Sequence, residues 1–383
     1  MLRLAAALVA VGASSTLRGI PEVLDLFDDL TPQDFSTYTF SQYAAQFQRV
    51  YSSAEERAER EALFNKRLGL IIAHNANPNR TWTAGVNQFT DWTEAQMSVL
   101  RGRRGPTAPR GTPPAAHSLL QRQKSVKDLP KNVDWRKKGA VTPVPDQGSC
   151  GSCWAVTAAG AIESHLAIST GHLEQVSAGL IRDCTPNPNE CGGQGGCSGS
   201  IPELAFNWTR DNGMLFEKDY PYKDKDGKCY NGFLKPASVS LTGYRRLIEN
   251  DQRDLMEALL VGPVAVSVAV PLSFSMYKAG VLACGNQDED WLVGHAVLMV
   301  GYGESLLGKY WLVKNSWGEG WGDKGYIRIR REDTPEQEPC GIDVDPSVGS
   351  ACKPYPDSMK VCGHCGILSD SSYPLGVDLI HKA

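Results

Sequence analysis

The sequence predicts an α+β protein in which a helical amino-terminal segment precedes a larger part of mixed helix and strand. The first hundred residues are helical in pattern and contain no cysteine. All 11 cysteines lie after residue 149, in a part rich in glycine and tryptophan. This part combines a helix-compatible run that starts at Cys153 with a buried-strand pattern headed by His295. At 383 residues, the chain is long enough for about two to three domains.

Charge and hydrophobicity narrow the possible partners. The formal net charge is −4, and no basic stripe interleaved with aromatic residues is present, so nucleic acid is not a predicted partner. No apolar run approaches the roughly 20 residues of a membrane helix, so no membrane span is predicted. Residues 1–15 carry Arg3, then a short apolar run, then the small residues Ala13 and Ser15, which predicts a secretory signal peptide.

Composition divides the rest of the chain into three segments. Residues 22–100 are predicted to form a helical domain. Residues 101–128 hold seven basic residues, one acidic residue and four prolines, a composition that cannot bury a core and favours exposure to proteases. Residues 129–383 are predicted to be the main domain, with an extended cysteine-rich tail.

Two side-chain patterns mark the helical domain. The first lines one face of a long predicted helix and consists of Glu56, Arg60, Phe64, Ile71 and Asn75. The second recurs at alternate positions, which predicts one face of an extended strand, and consists of Gly85, Asn87, Phe89 and Asp91.

The main domain opens with residues suited to attack on an acyl carbon. Gln147 and a glycine-rich bend precede Cys153, and a helix-compatible run that stops at Gly171 follows. A helix amino terminus favours the thiolate, so Cys153 is the predicted nucleophile. The side-chain amide of Gln147 and the backbone N–H of Cys153 are the predicted oxyanion donors. The alternative for Gln147 is a surface turn residue.

Seven histidines compete for the role of base. His165 is on the helix of Cys153 but about 18 Å along its axis, too far to act on the thiol. His295 heads a buried strand, 142 residues after Cys153, and is the predicted base, with a structural core histidine as the alternative. Asn315 is predicted to orient its imidazole, and Trp317 to shield that hydrogen bond from water.

Cys150 allows a different chemistry. With Cys153 it forms a Cys-x-x-Cys sequence, which is also typical of thiol–disulfide exchange proteins. That alternative leaves Gln147, His295 and Asn315 unexplained. A second alternative is a catalytically silent binding protein, although none of the four predicted catalytic residues is replaced.

The cysteine run and the Asn-Ser-Trp-Gly block at Asn315 resemble the papain family, and specifically cathepsin L-like cysteine proteases. The two patterns of the helical domain are similar to the family's I29-type inhibitory propeptide, except that Arg67 stands where the family has Asn. The resemblance implies a papain-like two-domain fold, with a helical half around Cys153 and a β-barrel-like half carrying His295. It also implies an autoinhibited zymogen whose mature enzyme begins near Leu129.

Subsite residues follow from the same resemblance. The loop that binds the substrate backbone should comprise Gly199, Ser200, Ile201 and Pro202. The substrate site should also include Trp317, and the pocket for the second residue on the acyl side, P2, should comprise Ser267, Val293 and Ala296. Asp370 should lie at the pocket floor and pair with a P2 arginine while apolar walls accept Leu or Phe. The alternative is that Asp370 faces solvent.

The resemblance also implies three disulfides: Cys150–Cys197, Cys184–Cys229 and Cys284–Cys365. It leaves four cysteines without an assigned partner, namely Cys191, Cys340, Cys352 and Cys362. A zinc site formed by Cys352, Cys362, His364 and Cys365 is an alternative to disulfides, although no metal is expected.

The predicted protein is a monomeric cysteine endopeptidase of the secretory pathway, in a lysosome, a vacuole or outside the cell. Its expected partners are protein and peptide substrates and its own propeptide, and no cofactor is expected. No insertion bearing paired histidines precedes His295, which favours an open cleft and endopeptidase action.

Overall fold

The computed structural model describes residues 30–101, 128–229, 236–285 and 291–380. The predicted signal peptide and residues 102–127 of the predicted linker lie outside the described residues. The helices, α1 to α8 in chain order, are Phe40–Gln46, Ala54–Ala76, Glu94–Leu100, Cys153–Thr170, Ala178–Cys184, Pro202–Asn212, Gln252–Val261 and Leu272–Met276. The strands, β1 to β13, are Trp82–Ala84, Val133–Asp134, Val239–Ser240, Gly243–Arg246, Val264–Ala269, Tyr277–Gly280, Val293–Ser305, Gly308–Lys314, Tyr326–Arg330, Cys340–Asp343, Met359–Cys362, Ser371–Leu375 and Asp378–Leu379.

The amino-terminal unit is built on α2, the long helix predicted from its one-sided pattern. Ser53 caps this helix by accepting a hydrogen bond from the N–H of Glu56 at 3.1 Å. Phe64 of α2 packs on Phe40 and Tyr43 of α1, with ring centroids 5.6 and 4.8 Å apart. The two helices therefore share a small aromatic core.

Polar contacts hold α2 to the chain that follows it. Arg67, the departure from the family pattern, donates to the carbonyl oxygens of Phe89 at 2.8 Å and Thr90 at 3.2 Å. The buried carboxylate of Asp91 accepts from Arg49 at 2.7 Å and from Tyr43 at 2.8 Å. These charge-assisted bonds fix the segment that leaves the helical unit.

That segment is not the strand predicted from its alternating pattern. Strand β1 ends at Ala84, and residues 88–91 form a turn. The turn arises because the side chain of Asn87 accepts from the N–H of Phe89 at 2.9 Å, a local bond that competes with strand pairing. The backbone N–H of Thr90 then donates to the carbonyl of Asn87 at 3.1 Å.

Helix α4 forms the centre of the larger part. Residues 153–166 are buried around the whole circumference of the helix, because α4 packs on α5 and α6 on one side and on β7 on the other. The helix stops at Gly171, which has a left-handed φ of 77°. Both ends agree with the helix predicted after Cys153.

The β-rich half, predicted as barrel-like, is built on an antiparallel sheet that does not close into a complete barrel within the described residues. Its strand order is β4-β12-β5-β7-β8-β9, with β2 paired to the distal part of β7. Among the described residues, the outer strands β4 and β9 are not paired with each other. Leu282 lies along the outer edge of β9 instead, accepting from Arg330 at 2.8 Å.

Five disulfides stabilise the larger part: Cys150–Cys197, Cys184–Cys229, Cys191–Cys352, Cys284–Cys365 and Cys340–Cys362. The last three contain Cys352, Cys362 and Cys365, so these cysteines do not form the alternative zinc site. Within the described ranges, every helix is too short or too polar to cross a lipid bilayer.

Candidate active site

Cys153 is the first residue of α4 and the only free cysteine of the described chain. The N-cap residue, Ser152, makes no side-chain cap bond, so the first N–H groups of the helix remain available to a negative charge. Cys150 is joined to Cys197 and not to Cys153. The structure therefore contains no dithiol pair in the Cys-x-x-Cys sequence.

His295 and Asn315 meet at the cleft from neighbouring strands. His295 is the third residue of β7, and Asn315 follows β8. The Nε2 of His295 lies 2.8 Å from the Oδ1 of Asn315, and both side chains are buried. The indole of Trp317 covers the imidazole, with ring centroids 4.9 Å apart. Because Asn315 occupies Nε2, the other ring nitrogen, Nδ1, is available to the thiol.

The amide of Gln147 is held in one orientation. Its Oε1 accepts from the Oγ of Ser316 at 2.6 Å, and its Nε2 donates to the carbonyl oxygen of Cys150 at 2.9 Å. The same Nε2 donates to the carbonyl oxygen of Leu100 at 3.0 Å. A carbonyl of the amino-terminal unit therefore accepts a hydrogen bond from the amide that was predicted to bind the oxyanion.

Burial favours the neutral forms of Cys153 and His295. Desolvation raises the pKa of Cys153 to about 11, only partly offset by backbone N–H groups, including that of Ala296. Desolvation also lowers the pKa of His295 to about 4, against the effect of its hydrogen bond to Asn315. The thiol is therefore protonated and the imidazole uncharged near neutral pH.

The amino-terminal unit covers the cleft through several contacts. Phe89 packs edge-on against Trp317, with centroids 5.3 Å apart, and the amide of Gln88 donates to the Trp317 carbonyl at 2.7 Å. Strand β1 pairs antiparallel with β6 of the larger part. Leu100 then reaches the candidate catalytic residue Gln147, and Arg101 lies in the adjoining pocket.

That pocket contains most of the predicted subsite residues. Together with Cys153 and His295 it is lined by Gly199, Ser200, Ile201, Pro202, Ser267 and Ala296. Val293 is placed differently, because its side chain is fully buried and does not line the pocket. Asp370 lies behind Ser267 and, with a 4% exposed side chain, does not face solvent.

Asp370 is already engaged by two neighbours. Its Oδ2 accepts from the Oγ of Ser267 at 2.9 Å, and its Oδ1 is 3.5 Å from a guanidinium nitrogen of Arg246. Burial, and then the charge of Asp370, raise the pKa of the nearby Glu203 to about 7. Two carboxyl groups therefore share one cation behind the pocket.

Sequence reasoning missed several residues of the site. Ser316 lies inside the Asn-Ser-Trp-Gly block, so the sequence could have pointed to it as a site residue. Its hydrogen bond to Gln147 could not be predicted from that block. Arg246 and Glu203 are distant in sequence from Asp370, and no pattern connected them. Gly192 and Gly349 also line the pocket, and they come from the segments whose cysteines had no assigned partner.

Comparison with known proteins assigns the family. The papain family cysteine protease domain matches residues 129–350, and the cathepsin propeptide inhibitor domain (I29) matches residues 40–97. The first match alone covers more than half of the chain. The chain therefore belongs to the papain family of cysteine proteases, and its amino-terminal unit is an inhibitory propeptide domain.

Known cysteine proteases are similar to this protein over most of its chain. The senescence-specific cysteine protease SAG12 of Arabidopsis thaliana is 37% identical over 300 residues, which is 77% of this chain and 84% of that protein. A recombinant stem bromelain precursor has a TM-score of 0.69 at 31% identity, covering 88% of this chain and 97% of its own. Digestive procathepsin L 3 from Tenebrio molitor larval midgut has a TM-score of 0.67 at 30% identity, with the same coverage.

Proposed function

We propose that Cys153 is the nucleophile of this cysteine endopeptidase and that His295 exchanges protons with it. Asn315 orients the imidazole, and Gln147 binds the oxyanion together with the backbone N–H of Cys153. The observation that carries this assignment is the hydrogen bond from Gln147 to the Leu100 carbonyl, because a substrate carbonyl in the same place would accept the same bond. Cys153, the only free thiol of the described chain, supports it further.

The reaction follows from these positions. Cys153 transfers its proton to Nδ1 of His295, and the thiolate attacks the acyl carbon while the carbonyl oxygen gains negative charge beside Gln147. The tetrahedral intermediate collapses, the C–N bond breaks, and the imidazolium gives its proton to the leaving amine. The imidazole then takes a proton from a water molecule, which attacks the thioester and releases the acid product. The departing thiolate of Cys153 regains the proton from the imidazolium.

The precursor is proposed to mature by cleavage in the basic linker, residues 101–128. Acid weakens the contacts of the propeptide with the cleft, and proteolysis then releases a mature chain that begins near Leu129. The signal peptide assigned to residues 1–15 and the disulfides support a protein of the secretory pathway, either secreted or vacuolar. We also propose that the enzyme is a monomer and that its substrates are proteins and peptides.

Acid incubation of the purified precursor tests the assignment. We expect a mass shift to a product starting near Leu129, together with hydrolysis of fluorogenic peptides. Cys153→Ser is expected to abolish both, while the same precursor still folds with its propeptide in place. Peptide hydrolysis that survives in Cys153→Ser would contradict the proposed nucleophile.

Behind Ser267 of the proposed P2 pocket lies the carboxylate of Asp370, whose charge Arg246 partly neutralises. Asp370→Ala is expected to lower the cleavage of substrates with arginine at P2 by about tenfold relative to substrates with leucine at P2, because one attractive charge is lost. Arg246→Ala is expected to shift the same ratio in the opposite direction. The ratio is measured with substrates bearing Arg, Leu or Phe at P2 near pH 6, and no Arg cleavage, or an unchanged ratio in both variants, would reject this specificity.

A further inference from the structure

A disulfide-closed segment near the carboxyl end lies against the catalytic cleft. This segment, the strap, comprises residues 340–362. It begins with β10 and ends with β11, which pair antiparallel from Cys340↔Cys362 to Asp343↔Met359. The disulfide between Cys340 and Cys362 closes its base.

The strap touches the wall of the cleft that carries His295. The carboxylate of Asp343 accepts from the backbone N–H of Val293 at 3.1 Å. A methyl group added to Gly349 would lie 1.5 Å from the Val293 carbonyl oxygen, so the two main chains are in direct contact. The carbonyl oxygen of Val348 is 3.4 Å from the position of a methyl group on Gly294.

The same few residues also touch the opposite wall. The carbonyl of Ala351 accepts from the N–H of Gly192 at 2.9 Å. A methyl group on Gly192 would lie 2.5 Å from the Gly349 carbonyl oxygen and 2.9 Å from that of Ser200. Gly349 therefore lies between both walls of the groove, beside the residues that line the candidate acyl-side pocket.

Covalent and ionic contacts fix the strap to this second wall. Cys352 is joined to Cys191 by a disulfide. The next residue, Lys353, forms an ion pair with Glu190 at 2.6 Å, and the hydroxyl of Tyr355 donates to the Glu190 carbonyl at 2.8 Å. The strap is thus held at both of its sides.

The path of the propeptide indicates that the groove is short between the proposed catalytic residues and the strap. The carbonyl of Leu100 is at Gln147, and the carbonyl of the next residue, Arg101, is 3.8 Å from the methyl position of Gly294. Arg101 lies in the candidate acyl-side pocket, so the propeptide crosses the groove in the direction opposite to that of a substrate. Val348 of the strap approaches the same glycine. One residue advances a chain by about 3.3 Å, so the groove ends within about two residues of the scissile position.

We propose that the strap ends acyl-side recognition at the second substrate residue. The inference rests on the proposed function, which places the acyl side of the substrate along residues 199–202. Residues beyond P2 must leave the groove at Gly349 and bury no further surface there, so they add no binding energy to the transition state. Specificity is then carried by P2, P1 and the leaving-group side.

A length series tests the proposal on the native, acid-activated enzyme. Acetylated quenched peptides share one leaving-group side and carry one to five residues on the acyl side. We expect kcat/KM to rise from one residue to two and then to remain within about twofold up to five residues. A rise of about fivefold or more with the third and fourth residues would overturn the proposal while leaving the proposed function intact. Cleavage of none of the peptides would overturn the proposed function, and the strap proposal with it.

A variant with a shortened strap tests whether the strap causes the limit on acyl-side recognition. Residues 344–358 are replaced by an Asn-Gly turn, which suits the paired ends Asp343 and Met359, and Cys191→Ser removes the thiol left without a partner. This variant is expected to gain about tenfold in kcat/KM as the acyl side grows from two residues to four. The double variant Cys191→Ser/Cys352→Ser keeps the strap and serves as the control for the lost disulfide. If the shortened variant shows the same flat profile as the native enzyme, the strap does not limit recognition.

Discussion

At the residue scale, the proposed stabilisation of the oxyanion depends on the orientation of one amide, that of Gln147. Gln147 presents Nε2 to the acyl oxygen site because Ser316 donates to its Oε1 at 2.6 Å. The hydroxyl of Tyr222 also donates to the Gln147 backbone carbonyl, at 2.9 Å. The donor is thus placed before substrate arrives, which is the condition under which such a group accelerates the reaction.

Loss of the proposed oxyanion donor, Gln147, should lower kcat more than loss of Ser316, which orients it. Gln147→Ala is expected to lower kcat by about 10²–10³ with little change in KM, because the oxyanion forms only in the transition state. Ser316→Ala is expected to lower kcat by about tenfold, because the amide is still present but less well oriented. The double variant should be no worse than Gln147→Ala, as measured by steady-state kinetics of the matured enzymes. Additive losses would show that Ser316 does not act through Gln147.

The candidate catalytic residues could be located from the sequence because each lies in a contiguous block with a recognisable order. Cys153 follows a glycine-rich bend, and Asn315 precedes Ser-Trp-Gly. The contacts around Asp370 could not be located, because Arg246 and Glu203 reach it only through the folding of β4 and α6. Their pairing is a property of the tertiary structure.

At the scale of elements, the pairing of β1 with β6 anchors the propeptide, and a histidine lies directly against it. His74, near the end of α2, has its Nε2 3.0 Å from the carbonyl oxygen of Trp82 in β1, and the two rings are 3.8 Å apart. Burial lowers the pKa of His74 below its ordinary value of 6.5, in spite of the hydrogen bond to Trp82. The docked unit therefore favours neutral His74.

This shift gives maturation a pH dependence. Below about pH 6.5, His74 of an unfolded propeptide takes up a proton before His74 of the folded, docked unit does, so the stability of the docked unit falls as the pH falls. His74→Gln cannot gain this charge and is expected to move the midpoint of acid maturation about half a pH unit lower. The matched control is His172→Gln, because His172 is half-buried in the larger part and lies outside the propeptide. It should leave the midpoint unchanged. Equal midpoints for His74→Gln and the wild type, measured by the mass shift against pH, would contradict this role.

Helix α4 and the propeptide helix α2 could be predicted because their apolar positions recur at helical spacing and their ends carry a glycine or a serine cap. The strand predicted through Gly85 and Asp91 was wrong because the side chain of Asn87 stabilises a turn, a bond that alternation does not reveal. The strap could not be predicted at all, since the partner of Cys191 lies 161 residues further along the chain.

At the scale of the whole molecule, a buried polar cluster joins the two halves behind the cleft. Glu163 of α4 accepts from the hydroxyl of Thr142 at 2.5 Å. Lys314 of β8 donates to the carbonyl oxygen of Thr142 at 2.9 Å and to its hydroxyl oxygen at 3.0 Å. Burial raises the pKa of Glu163, and burial lowers the pKa of Lys314 to about 8. Each charge compensates for the burial of the other.

Removal of one partner should therefore cost more than removal of both. Lys314→Met leaves Glu163 buried without a cation and is expected to lower the free energy of unfolding by about 3 kcal/mol. Adding Glu163→Leu should restore most of this loss, because no buried charge remains. Urea unfolding followed by tryptophan fluorescence measures both variants. If the double variant is less stable than Lys314→Met, the two side chains do not compensate each other.

The central claim is that Cys153 is a catalytic thiol that the propeptide keeps neutral and covered. The most direct measurement is the rate at which a thiol-directed alkylating agent labels Cys153 near pH 6, before and after acid maturation, with the labelled peptide mapped by mass spectrometry. In the precursor, burial raises the pKa of Cys153 to about 11, and Leu100 occupies the acyl oxygen site beside the thiol. We predict labelling of Cys153 about 10³-fold faster in the matured enzyme than in the precursor, and none in Cys153→Ser. Equal rates in the two forms, or faster labelling of another cysteine after maturation, would contradict the account.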